Sequence, residues 1–451
     1  MNIPRASSIA STLKQYAHRK DKWRELKTVS VVSGLAGCGK TTLLLDYFKG
    51  KRNFYFTFAG LEESVAEKLF ADKVSMITGK VIMSWDEAII ALSKKYKYII
   101  FDDLTHIASY KRFKSSFYEN MCMDFNIRPL VFLIAQPTDD LDGLADSFHE
   151  IEVSYFSIPE TIKLFPSLSK LEALGLCAVS GGIPKLMKEY DGQKVLEENL
   201  LAFLVPSSAF VEFMPYLMDR YFRKPEIYHH ILYAIANGNH RISEIGKFTG
   251  YAYNKCDNYV SALVTAGIVK IEKEKSKHGT EKTAYVFANS YFRLWYRYIY
   301  ANRTAIAMSN NNVIGSIIES IIEKEIHAFH LQRAFAHVNA RIKESNFWVI
   351  FRINEKILYA PQTIEKGNFS YTFDAIHRNG EKAVFVKVFA DPLENCKKGE
   401  LNKIKRAVML ANNYYDSHVF LFTKRRFSDY ASQQAPIDDA ISFVEVERLK
   451  Y

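Results

Sequence analysis

From residue 34 the chain reads Gly34-Leu35-Ala36-Gly37-Cys38-Gly39-Lys40-Thr41, which fits GxxxxGK[ST] at every required position. The run before it, Thr28 to Ser33, is short, apolar and β-rich, and the run after it has helical character. Glycines placed between a strand and a helix let successive backbone N–H groups wrap an anion, and the helix N-terminus adds positive potential. Lys40 is then expected to reach the β and γ phosphates of a nucleotide, and Thr41 to ligate magnesium, with Thr42 beside it in the first helical turn. Cys38 stands at a variable position of the motif and reads as a small residue tolerated there.

A second element supports the first. Tyr98-Ile99-Ile100-Phe101 is an apolar strand that runs into Asp102 and Asp103. A carboxylate at a strand end can hold the magnesium that bridges β and γ phosphates, and its neighbour can orient the attacking water. We therefore expect Asp102 at the metal and Asp103 at the water. Aspartate is shorter than the glutamate many ATPases carry at the second position, so hydrolysis is expected to be slow. Gln136, after the apolar run Leu130 to Ala135, is the candidate γ-phosphate sensor, and Arg128 is a candidate arginine finger toward a neighbouring subunit. With Asn53 to Phe58, these runs make four candidate strands alternating with amphipathic segments. Strands apolar almost throughout belong in a parallel sheet covered on both faces.

At 451 residues the chain exceeds one ordinary core, and its length suggests two to four domains. The expected division is a P-loop NTPase core at 1–155, a helical lid at 156–222, a winged helix-turn-helix at 223–300 and a C-terminal α+β domain at 301–451. Ile227 to Asn237, Arg241 to Lys247 and Ala252 to Thr265 read as three helices, followed by strands at Ile268 to Ile271 and Ala284 to Phe287. Asn254 and Lys255 lie at the recognition-helix position, and Lys270, Lys273, Lys275, Lys277 and Lys282 on the wing. Glu272, Glu274 and Glu281 dilute that basic face. A net charge of +10 favours acidic partners such as double-stranded DNA, though a protein partner fits as well. In the last domain, Phe347 to Ile353, Tyr371 to Ile376, Ala383 to Phe389 and His418 to Phe422 read as strands, with a basic helix around Leu401 to Ala411.

No apolar run approaches the roughly 18 to 20 residues of a membrane helix, and the first 20 residues lack a secretory apolar stretch. A cytoplasmic protein without membrane contact is expected. The cysteines form no CxxC or Cys/His cluster with metal-ligand spacing.

With the phosphate loop, the Asp102-Asp103 strand, the turn Gly181-Gly182-Ile183-Pro184 and the winged helix in this order, the chain resembles the prokaryotic "archaeal-type" ATPases of the signal-transducing AAA+ branch. The resemblance covers almost the whole chain. It implies ATP as the nucleotide, since no guanine-specific tetrapeptide stands out, and it implies that Gly182 and Pro184 approach the bound nucleotide. The first 25 residues depart from the family's arginine-containing entry motif, of which Ile3-Pro4-Arg5 is a faint echo. In many members the C-terminus resembles a PD-(D/E)xK nuclease domain, here a restriction-endonuclease-like α+β fold. By that resemblance Gly315 and Glu319 match the helical part, Asp374 the first-strand acid and Lys387 the lysine. Phe385 stands where the second acid belongs, so the nuclease-like site is expected to be inactive. The expected function is an ATP-binding and slowly hydrolysing switch, with a nucleotide-dependent homo-oligomer compatible with it. The alternative is a DNA-binding regulator or defence component with a mainly structural nucleotide. An ATP-gated nuclease is a third reading, against which Phe385 argues.

Overall fold

The computed structural model describes residues 29–58, 60–104, 107–123, 129–137, 139–144, 149–275, 281–344, 350, 351, 353, 356–389, 396–423, 426–435 and 437–445. The chain divides into two compact units, Met1–Leu164 with Ser180–Tyr190 and Phe203–Met308, and Phe165–Val179 with Asp191–Ala202 and Ser309–Tyr451. That division runs through the 156–222 segment expected as one lid.

In the first unit β1 (Val29–Ser33), β2 (Asn53–Thr57), β3 (Tyr98–Asp102), β4 (Leu130–Ile134) and β5 (His149–Glu152) form a parallel sheet in the order β2-β3-β4-β1-β5. Successive strand residues point to opposite faces. Phe101 accordingly joins Phe54, Phe56, Phe70, Trp85 and Phe113 on one side, while Ile100 joins Val32, Leu44, Phe48 and Phe132 on the other. Both faces are covered, which is why the strands read as apolar throughout. β5 was not expected. Its sequence, His149-Glu150-Ile151-Glu152, buries only Ile151, as an edge strand with one inward side chain requires.

Helix ends follow local chemistry. The helix Trp85–Lys95 begins at Ser84, whose hydroxyl accepts from the Glu87 N–H; Asp86 and Glu87 lie in its first turn and Lys94 and Lys95 in its last, as the helix dipole favours. The helix Glu63–Thr78 stops at Gly79, whose φ of 69° suits a residue without Cβ. Farther along, the helix Ala209–Tyr221 starts at Ser208, which caps the Val211 N–H. It is tied down by the Tyr291 hydroxyl, donating to the Phe210 carbonyl at 2.6 Å, and by the Trp295 indole, donating to that of Val211 at 3.0 Å. Helices Pro225–Ala236, Ile242–Thr249 and Tyr253–Thr265 follow, then an antiparallel hairpin of β6 (Val269–Lys275) and β7 (Glu281–Phe287).

The second unit contains a hairpin of β8 (Gln362–Lys366) and β9 (Phe369–Phe373), and a sheet ordered β10 (Ala375–Asn379), β11 (Lys382–Val388), β12 (Ser417–Thr423), β13 (Ile441–Glu445). β10 is antiparallel to β11, and the remaining pairs are parallel. The helix Lys398–Ala411 lays Leu401, Ile404 and Val408 into the same core as Phe385, Val419 and Leu421. The continuous strand expected at Tyr371 to Ile376 is two strands, because the chain changes partner at Asp374: β9 pairs with β8 and β10 with β11. Most of the strand expected at 347–353 lies outside the described residues. Among the described residues no helix is long and apolar enough to cross a membrane.

Candidate functional site

Because β4 lies between β1 and β3, the carboxyl ends of three adjacent strands bring the loop after Ser33, Gln136 and the Asp102-Asp103 pair together. The loop needs its glycines. Gly34, Gly37 and Gly39 have φ of 147°, 78° and 92°. A Cβ at Gly34 would stand 2.1 Å from the Val153 carbonyl oxygen, and one at Gly37 2.8 Å from the Phe213 ring.

Lys40 is buried, and its ammonium donates to the carbonyls of Gly34 at 2.6 Å and Leu35 at 3.0 Å and to Gln136 Oε1 at 3.4 Å. Burial pulls its pKa below the ordinary lysine value. The Thr41 hydroxyl donates to Asp102 Oδ2 at 2.7 Å, and the Tyr55 hydroxyl reaches the same oxygen at 2.9 Å. Asp102 Oδ1 accepts the Asp103 N–H at 2.8 Å. Asp103 itself has φ of 60°, a conformation that aspartate tolerates better than most side chains. Its Oδ1 is engaged by Arg220 Nη2 at 2.5 Å, and Arg220 also donates to the Tyr216 hydroxyl at 3.2 Å.

One residue further, the Tyr221 hydroxyl accepts the Ala36 N–H at 2.8 Å and donates to Gln136 Oε1 at 2.8 Å. Burial raises the Tyr221 phenol pKa. The backbone N–H of Gln136 is held by Asp139 Oδ2 at 2.7 Å, and burial raises the Asp139 pKa. Tyr155 donates to the Ala36 carbonyl at 3.0 Å. The turn at Gly182 is pinned by the Phe156 N–H, which donates to its carbonyl at 2.8 Å. A Cβ on Gly37 would lie 3.4 Å from Ile183 Cγ2 and one on Gly39 4.0 Å from Pro184 Cγ, so the turn stands beside the loop.

Lys40, Thr41, Asp102, Asp103 and Gln136 thus converge, with Gly182 and Pro184 adjacent. Cys38 is buried within the loop, and Thr42 is exposed on the helix that follows. Arg128 lies outside the described residues. Tyr55, Asp139, Tyr155, Arg220 and Tyr221 were not foreseen; none stands in a motif, and only folding brings them to the loop. A magnesium ion suits what is present: a hydroxyl and a carboxylate oxygen 2.7 Å apart beside a glycine cradle are hard oxygen donors at the place where nucleotide phosphates would lie.

The other candidate positions are more dispersed. Asn254 and Lys255 are exposed at the start of the helix Tyr253–Thr265, with the Lys255 ammonium 4.2 Å from the Tyr251 ring centroid. On the hairpin, Lys270, Lys273 and Lys282 are exposed, and Lys270 is paired with Glu272 at 2.7 Å. The Lys275 side chain and all of Lys277 fall outside the described residues. In the second unit Asp374 sits between β9 and β10, and its Oδ2 accepts the Val388 N–H at 2.7 Å. Burial raises its pKa, and the charges of Lys387 and His327 oppose that rise. Lys387 points over the Tyr371 ring, 5.6 Å from its centroid. Phe385 is fully buried and packs on Phe373 at 4.9 Å, so the position where a second acid would stand belongs to the core. Glu319 is exposed, whereas Glu325 in the next turns is buried. Among the described residues no group of three or more His, Cys, Asp or Glu side chains is close enough to hold a metal ion. The described residues around Asp374 do not form a set of ligands for a nuclease metal.

A parallel sheet whose first strand opens into a glycine cradle, and whose Asp102 accepts from the cradle's threonine, defines a P-loop NTPase core. Residues 30–116 match the family model for the viral superfamily 1 RNA helicase core domain. An uncharacterized protein of Methanocaldococcus jannaschii is 31% identical over 96 residues, 20% of this chain and 21% of that protein, so the matched stretch spans about a fifth of the relative. Among solved structures, the Walker-type ATPase of Pyrococcus abyssi aligns with TM-score 0.43 and 15% identity over 63% of this chain and 95% of its own. The Aeropyrum pernix Orc1 protein in complex with DNA aligns with TM-score 0.32 and 14% identity over 68% of this chain and 92% of its own.

Proposed function

We propose that the chain binds ATP with magnesium at Gly34–Thr42 and hydrolyses it slowly, using nucleotide state as a switch. The observation that carries this reading is the 2.7 Å bond from Thr41 to Asp102 beside a buried Lys40 held on Gln136. Those are four groups of the kind a β,γ-phosphate and its metal require, presented from three neighbouring strand ends. Magnesium, held by Thr41 Oγ1 and Asp102, would neutralise charge developing on the phosphates. Lys40 exchanges its carbonyl partners for phosphate oxygens, Asp103 orients the attacking water, and Gln136 reads the γ-phosphate. Gly182 and Pro184 face the nucleotide from the adjoining turn.

In this reading the chain is of the AAA+ type. Residues 223–300 act as a winged helix and 301–451 as a nuclease-like output segment without cleavage activity, in a cytoplasmic protein that can assemble with copies of itself. ATP can drive such a switch only by as much as it prefers one arrangement over the other. The test is fluorescent-nucleotide titration and phosphate release with and without double-stranded DNA. Lys40→Ala should abolish binding, and Asp103→Asn should keep binding while losing hydrolysis. Wild-type affinity in Lys40→Ala would refute the site. Stimulation by DNA that fails in Lys40→Ala would support an output through the winged helix, and turnover indifferent to DNA would point to a protein partner.

A second reading, a DNA-binding regulator with structural nucleotide, is favoured by the exposure of Asn254, Lys255, Lys273 and Lys282. It predicts salt-dependent DNA binding that weakens as those lysines are removed.

A further inference from the structure

The end of the helix Ala209–Tyr221 occupies the phosphate loop from within the chain. The Tyr221 hydroxyl takes the Ala36 N–H at 2.8 Å, one of the amides a glycine cradle offers to an anion, and returns its own proton to Gln136 Oε1 at 2.8 Å. Gln136 Oε1 in turn accepts from Lys40, 3.4 Å away, so the phenol, the sensor amide and the loop lysine form one connected network. Its neighbour Arg220 holds Asp103, the carboxylate assigned to the water. Two consecutive side chains of one helix end thus occupy the loop amide and the carboxylate that a bound triphosphate and its attacking water need free.

We propose that Tyr221 is an internal competitor for the phosphate site: nucleotide binding must break the Tyr221 contact to Ala36, so the helix end is displaced when the loop fills. The proposal rests on the nucleotide site proposed above. Its physical basis is differential: the hydroxyl's two hydrogen bonds stabilise only the arrangement in which the helix end holds the loop, so removing them raises nucleotide affinity without adding any contact to the ligand. A hydroxyl that merely supported the fold, or that touched the nucleotide, would act in the opposite direction.

The experiment is titration of the full-length chain with a fluorescent ATP analogue and magnesium, comparing wild type, Tyr221→Phe and Lys40→Ala. Phenylalanine keeps the ring and removes the hydroxyl. Tyr221→Phe should bind about fivefold to tenfold tighter, the scale expected for loss of one or two net hydrogen bonds from the free state. Equal or weaker binding in Tyr221→Phe, with wild type binding and Lys40→Ala not, overturns the competition and leaves the nucleotide site standing. Absence of binding in wild type overturns both. Hydrogen exchange on the wild-type protein gives a second measurement that needs no variant. Nucleotide should protect amides of residues 34–41 and deprotect those of 216–222, and unchanged or increased protection at 216–222 refutes the displacement.

Discussion

Arg220 and Asp103, 117 positions apart in sequence, meet at 2.5 Å with side chains only 20% and 16% exposed. The pair joins the end of the helix Ala209–Tyr221 to the carboxyl end of β3. Breaking one side leaves the other partly buried without its charge partner. Arg220→Met should therefore lower the unfolding free energy by about 2 kcal/mol. A double-mutant cycle with Asp103→Asn should show coupling of about 1 kcal/mol, measured by urea denaturation. Asparagine is the appropriate partner variant, because the φ of 60° at this position disfavours most other residues.

Thr41 and Asp102 make the second testable pair. Thr41→Val removes the hydroxyl at nearly constant volume. Nucleotide affinity in this variant should no longer increase on adding magnesium, whereas wild-type affinity should, as read by titration with and without EDTA. An undiminished magnesium effect would place the metal elsewhere.

Phe385 decides the fate of the C-terminal sheet. Phe385→Glu restores an acid where a nuclease motif would have one, yet the position is fully buried among Phe373, Leu401 and Leu421. An unpaired carboxylate there should cost more than about 4 kcal/mol, so the variant should lose its cooperative unfolding transition rather than gain cleavage. Phe385→Leu should cost about 1 kcal/mol and retain that transition.

His418 supplies a pH dependence. Burial lowers its pKa from 6.5 to about 4; Asp438 acts to raise it, and Arg341 acts with burial. Its Nε2 pairs with Ser442 Oγ at 2.8 Å, and its ring lies 4.8 Å from Phe420. The folded state prefers the neutral ring, so the unfolded chain gains the proton first. Stability should be fully present above about pH 6.5 and decline toward pH 4, by on the order of 3 kcal/mol in total. Urea melts across that range should show the decline in wild type, and His418→Gln should flatten it. A slope unchanged in the variant would mean other groups carry the acid lability.

Local sequence sufficed for the loop and the strand ends at the centre of the proposed nucleotide site. The spacing Gly34 to Thr41, the two-face apolar strands and the acids after Phe101 needed no tertiary information, because backbone geometry and the helix N-terminus impose them on any chain that builds such a loop. Gln136 was legible for the same reason, as the first polar residue past a buried strand. The edge strand β5 escaped because Ile151 is its one buried residue and gives no periodic signal. The break at Asp374 escaped because β9 and β10 form one continuous β-rich run, and only the change of pairing partner separates them.

The sequence by itself determined the glycine loop and the polar residues that gather beside it, Lys40, Thr41, Asp102, Asp103 and Gln136, since those groups lie within a few positions of a strand end. The tertiary structure alone decided which distant side chains reach that loop. Tyr55, Arg220 and Tyr221 come from distant segments, and their positions follow from how β2 registers against β3 and how Tyr291 and Trp295 fix the helix Ala209–Tyr221. Such contacts leave no mark in sequence, because any tyrosine or arginine on a half-buried helix end looks alike until packing aims it.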